Sequence, residues 1–121
     1  MSLSEDLNQI LSNLRTSVPE IRGTLVASTD GMIIASNMAS GDPSRMAAMV
    51  ATALGLGKKI CETFGGGTLS ETSVSGNEGQ AFIYSAGQKG VLGVIVASGA
   101  NVGLIHLECR DAVKKITSLL S

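Results

Sequence analysis

The sequence predicts a layered α/β fold (α+β in the looser sense) around a mainly antiparallel sheet. Three observations carry this. The stretch Gly23–Ser36, GTLVASTDGMIIAS, sets two short apolar runs on either side of Asp30-Gly31, a strong hairpin signal. The segment Asp42–Phe64 has helical spacing and is apolar over most of its circumference. Between Thr68 and Ala97 three strand-like runs follow one another, each separated by a Gly-containing turn.

Taken in chain order, Leu3, Leu7, Ile10, Leu11 and Leu14 recur at helical spacing, and Ser2 with Glu5 fits a capping box. Pro19 ends that region. In the hairpin, Leu25 and Ala27 point to one face and Val26 to the other, while Ile33 and Ala35 oppose Met32 and Ile34. Apolar residues on both faces require cover on both sides of the sheet. Asp42 is a good N-cap and Pro43 suits the first helical position, so a long helix runs from there to Phe64, where Gly65-Gly66-Gly67 stops it. Its main apolar set is Met46, Met49, Val50, Ala53, Leu56, Ile60 and Phe64, widened by Ala47, Ala48, Ala51, Leu54 and Cys61. Gly55 and Gly57 inside it each cost about 1 kcal/mol relative to Ala, and close approach by another element is one reason to keep them.

Thr68–Ser75 is polar, as an edge strand is. Gln80–Ala86 places Phe82 and Tyr84 on one face and Ile83 on the other. Val91–Ala97 is apolar throughout and belongs at the sheet centre. Ser98–Asn101 leads into a last helix carrying Val102, Ile105, Cys109, Val113, Ile116 and Leu120, with Glu108, Arg110, Asp111, Lys114 and Lys115 as its solvated complement.

At 121 residues this is expected to be one domain, 1–121. A formal net charge of −1 and a pI near 5.7 leave no electrostatic footprint for nucleic acid or an anionic membrane. Tyr84, Phe64 and Phe82 are the only aromatics, too few for base stacking. Cys61 and Cys109 are isolated thiols in predicted helices, which suits a reducing, cytoplasmic setting. Residues 1–6 lack a signal-peptide pattern, and the uncharged run Gly90–Ile105 is shorter than the ~20 residues of a membrane span, so no membrane insertion is expected.

Site chemistry is sparse, and no catalytic, cofactor-binding or metal residues are assigned. His106 is the only histidine; with Cys109 three residues on it reads either as a Cys–His pair or as a helix-flank imidazole beside a core thiol. Cys61, His106 and Cys109 are too few and too scattered for a metal centre. Gly55-Leu56-Gly57-Lys58-Lys59 lacks the Ser/Thr of a phosphate loop and lies in mid-helix. Ser98–Asn101 reads as a helix cap, with a weak anion site as the alternative. Two surfaces instead ask for a partner: the long helix, with Met38, Met46 and Met49 on or before it, which reads either as core on one face and contact on the other or as core alone, and the open edge Thr68–Ser75, which reads either as a pairing edge or as a monomer's edge kept soluble by Glu71 and its Ser/Thr residues.

GTLVASTDGMIIAS, the helix MAAMVATALGLGKKI, the strand VLGVIVASGANVGL and the helix LECRDAVKKI occur in the order found in the Roadblock (dynein light chain 7 type) family. The chain resembles this family from about Leu7 to Leu120, and most of all its prokaryotic branch with the gliding-motility Mgl B-type regulators of Ras-like GTPases. The resemblance implies a profilin-like fold with strand order 2-1-5-4-3, the long helix on one face and the two terminal helices on the other. It also implies a homodimer through the long helices and third strands, here Met46, Met49, Val50, Ala53, Leu54, Gly57, Ile60, Leu69, Glu71 and Ser73. It implies, further, a non-enzymatic regulator or scaffold that binds a Ras-like small GTPase. Arg45, Thr52, Lys58, Lys59 and Glu62 are the polar docking residues expected on the exposed helix. The family carries no strict catalytic signature to transfer, and no arginine finger is assigned. A structural adaptor without effect on GTP hydrolysis and a small-ligand sensor are the alternatives.

Overall fold

The computed structural model describes residues 2–121. Its elements are α1 (Leu3–Ser17), β1 (Ile21–Ser28), β2 (Ile33–Met38), α2 (Pro43–Phe64), β3 (Glu71–Ser75), β4 (Gly79–Ala86), β5 (Gly90–Ala97) and α3 (Val102–Leu120). The strands form one antiparallel sheet in the order β2-β1-β5-β4-β3. β5, the strand with the most continuous apolar run, takes the centre between β1 and β4, where both faces of the sheet are covered.

Helix ends are set by local side chains. Ser2 and Glu5 complete the capping box of α1. Asp42 accepts from the Arg45 N–H at 3.2 Å, with Pro43 in the first turn. Asn101 accepts from the Leu104 N–H at 3.1 Å and opens α3. Gly65, at φ +75°, turns the chain out of α2, and the Gly66 N–H caps the Cys61 carbonyl at 2.8 Å.

Two cores result, one on each side of the sheet. α1 and α3 pack on Val26, Phe82, Tyr84, Leu92, Val94 and Val96. α2 packs on Leu25, Ala27, Ile83 and Val91. The alternation expected for β1 and for Phe82, Ile83 and Tyr84 is the one observed.

The alternation expected for β2 is not. Ile33 packs on the α2 side, whereas Ile34 and Ala35 both join the α1/α3 side. The register explains this: Ala27 pairs with Ile33 but Val26 pairs with Ala35, so Ile34 is an extra residue in a β-bulge. A bulge resets which face the following residues serve. The hairpin loop is closed by the Gly31 N–H on the Ser28 carbonyl at 3.0 Å. Gly31 adopts φ +94°, and a Cβ there would lie 3.3 Å from the Ala48 Cα of α2. Glycine is needed both for the turn and for the helix packed against it.

The third strand is shorter than the run Thr68–Ser75 suggests. Residues 68–70 carry the chain from the end of α2 to the sheet, and Leu69 packs across Gly57.

Candidate interaction surface

On α2 the sheet selects the smaller stripe. Ala47, Val50, Ala51, Leu54 and Gly57 are buried beneath the helix. Three of the expected interface residues are therefore corrected. Val50 and Leu54 fill the protomer's own core, and Gly57 is covered by Leu69 and Thr72, where a Cβ would fall 2.8 Å from the Leu69 methyl. Small side chains let the helix lie close to a flat sheet, which pushes the bulkier set outward. Gly55 differs from Gly57: among the described residues nothing beyond its own helical turn lies within 4 Å of the position its Cβ would take.

That outward set forms a stripe. Met49, Leu56, Ile60 and Phe64 are 49, 59, 53 and 69% exposed, and Met46 and Ala53 are half-buried between them. Their spacing alternates three and four residues from Met46 to Ile60. This is the seam of a helix that packs along another helix. Gly57 lies one step round from Ala53 and Ile60 and faces Thr72, so the stripe borders β3. Val74, on the same face as Thr72 and 59% exposed, extends it. Among the described residues the strand β3 pairs only with β4, and its other edge is open.

On the other flank of the stripe, Arg45, Thr52 and Lys59 repeat every seven residues and make one exposed polar ridge. Lys58 and Glu62 are not on it: Lys58 is half-buried near the sheet side, and Glu62 is exposed on the far flank. Ser73 is exposed on β3, and Leu69 is half-buried.

Glu71, expected at the open edge, turns toward α3. Its Oε2 lies 2.8 Å from His106 Nδ1, and its Oε1 accepts from Arg110 at 3.1 Å. Tyr84, paired directly across from Glu71, brings its hydroxyl to 2.8 Å from the same Nδ1. The Phe82 ring meets the imidazole edge-on. Burial holds the Tyr84 phenol above its ordinary range and pushes the Cys109 thiol up to about 12. Cys109 is fully buried, so it stays a protonated core thiol, and the imidazole beside it serves Glu71 and Tyr84. This cluster escaped sequence reading because it needs three elements in place at once. The available signal was Glu71, the one charge in a run of Ser and Thr. Cys61 lies on α2, across the sheet from Cys109, so the two thiols and the imidazole do not converge. Among the described residues no helix is long and apolar enough to cross a membrane.

The Roadblock/LC7 domain description matches residues 7–96, and the chain belongs to that family. Protein MJ1340 of Methanocaldococcus jannaschii is 33% identical over 100 residues, which cover 82% of this chain and 87% of that one. Among solved structures, a Roadblock/LC7 domain from Streptomyces avermitilis superposes with a TM-score of 0.87 at 24% identity, covering 93% of this chain and 95% of that chain. The gliding protein MglB from Thermus thermophilus gives 0.87 at 17% identity, covering 98 and 91%. Profilin II of Acanthamoeba castellanii gives 0.66 at 12% identity, covering 97 and 98%, and shares the fold.

Proposed function

We propose that this protein is a non-catalytic, cytoplasmic homodimer that binds a Ras-like small GTPase and regulates or scaffolds it. The observation that carries the reading is the apolar stripe of α2 running into the open β3 edge. Four large exposed side chains along one stripe are costly to leave in water, since burying each fully is worth about 1.5–3 kcal/mol. A second copy laid across a two-fold axis covers both stripes at once and continues the sheet through β3. Family membership and the shared fold with MglB support this arrangement.

The contact residues are then Met46, Met49, Ala53, Leu56, Ile60 and Phe64 on α2, with Leu69, Ser73 and Val74 at the edge. The ridge Arg45, Thr52 and Lys59 remains outside that contact and is the docking ridge for the GTPase, with Lys58 and Glu62 set apart from it toward the sheet side and the far flank. Regulation acts by biasing the partner's switch loops between ordered and released states. Single-turnover GTP hydrolysis by a purified Ras-like GTPase, with and without the protein, tests the reading. A changed rate that returns to basal with Arg45→Glu/Lys59→Glu supports it. Binding with no change in rate makes the protein a structural adaptor, and no binding overturns the GTPase assignment.

A further inference from the structure

We infer that Ser73 lies on the two-fold axis between self-pairing β3 strands, and that each copy closes the α3 groove of the other with the turn that carries Glu78. Both features rest on the homodimer reading and add to it a strand register and an ionic clasp.

The hydrogen bonds of β3 set the register. The Ser85 N–H donates to the Ser70 carbonyl at 3.0 Å, and the Gly76 N–H donates to the Gly79 carbonyl at 2.8 Å. Both continue the pairing that sets Glu71 against Tyr84. In an antiparallel ladder, successive residues of a strand bond alternately to one side and the other. The even-numbered residues of β3 therefore bond to β4, and Glu71, Ser73 and Ser75 turn their N–H and C=O groups to the open edge. An axis that lays both α2 stripes side by side on one face runs perpendicular to the sheet, so each side chain keeps its face. Opposed residues of an antiparallel pair share a face, which requires one residue of β3 to oppose itself. With Ser73 in that place, Glu71 opposes Ser75 of the second copy, and every outward group of the strand is paired. With Thr72 there, Ser75 opposes Leu69, outside the strand. With Val74 there, Glu71 opposes Asn77, in the turn. Ser73 on the axis leaves the fewest backbone groups without partners.

The same register carries Gly76-Asn77-Glu78 of the second copy past residues 68–70. There a groove of about 380 Å³ opens between β3 and α3, lined in part by Leu69, Ser70, Arg110, Val113 and Lys114. Charge complementarity identifies its occupant. Glu78 is exposed and is the only charged residue between Glu71 and Lys89. Arg110 donates to Glu71 Oε1 at 3.1 Å, which holds its guanidinium over the residue that faces Ser75 of the second copy. Lys114, one helical turn on, is exposed and has no ion-pair partner among the described residues. Glu78 of the second copy follows that Ser75 by three positions and meets both cations at the mouth of the groove. Two-fold symmetry makes the contact twice.

Disulfide cross-linking tests the register. Thr72→Cys, Ser73→Cys and Val74→Cys are each placed in a chain carrying Cys61→Ser, which removes the partly exposed thiol. Ser73→Cys should form a covalent dimer about tenfold faster than the other two, since it alone faces its own copy at about 5.5 Å between Cα atoms, a span a disulfide bridges. Sedimentation tests the clasp. Glu78→Lys and Lys114→Glu should each weaken self-association about tenfold, and the two together should recover most of the loss. All five positions are exposed or half-buried, so none of these changes empties the core. In a chain of dimer mass, faster linking by Thr72→Cys or Val74→Cys, or no linking by any of the three, overturns the register. No recovery in the double exchange overturns the clasp. Either result leaves the homodimer standing, whereas a single-chain mass for the unmodified protein overturns the homodimer and this inference together.

Discussion

Gly55 and Gly57 sit two residues apart on one helix and answer to different demands. Gly57 makes room for Leu69, while Gly55 meets nothing in the fold. Gly55→Ala should therefore stabilise the protein by about 0.5–1 kcal/mol in urea unfolding, as an interior helical glycine replaced without a clash does. The two thiols also separate. Cys61 is partly exposed and Cys109 fully buried, so an alkylating reagent at pH 8 should label one thiol in the native protein and two in denaturant, counted by mass. The raised Cys109 pKa carries a sign. Above the ordinary thiol value of 9.0 the unfolded chain gives up this proton and the folded chain keeps it until about 12, so this group lowers stability as pH rises across that window. Capping residues such as Ser2, Asp42 and Asn101 were legible because a cap is satisfied within three residues of sequence. Glu71 was legible only as an edge residue, since its partners His106 and Arg110 come from the far end of the chain.

At the scale of elements, α2 divides into two stripes with opposite roles. Leu54→Ala empties part of the core between helix and sheet and should cost about 2–5 kcal/mol in chemical unfolding. Ile60→Glu changes a half-exposed position and should shift the stability of the single chain by no more than about 0.5 kcal/mol. The same substitution sets a charge in the apolar seam and should disperse any self-association. Comparing the two variants by unfolding and by mass distinguishes a core stripe from a contact stripe. Periodicity in the sequence established that α2 is a helix and that it is too apolar for one covered face. It did not say which stripe meets the sheet. Hydrophobicity favours the larger residues for the core, but close packing on a sheet favours Ala47 and Ala51, and packing wins. The β2 bulge was hidden for a related reason. One extra residue, Ile34, leaves the composition of the strand unchanged while exchanging its faces.

At the scale of the molecule, three helices and five strands among the described residues enclose two cores, and the sheet between them presents two open edges. The layered architecture followed from runs that are apolar on both faces, above all Leu25–Ala27 and Val91–Ala97. The strand order came from the family resemblance, and the pairing of β1 with β5 confirms it. What the molecule lacks within a single chain is cover for the outer stripe of α2 and a neighbour for β3. Sedimentation equilibrium at micromolar concentration tests that most directly. The account predicts a mass of twice 12.3 kDa, reduced to the single-chain value by Ile60→Glu. A mass of 12.3 kDa for the unmodified chain, with Met49, Leu56, Ile60 and Phe64 left in water, would contradict it.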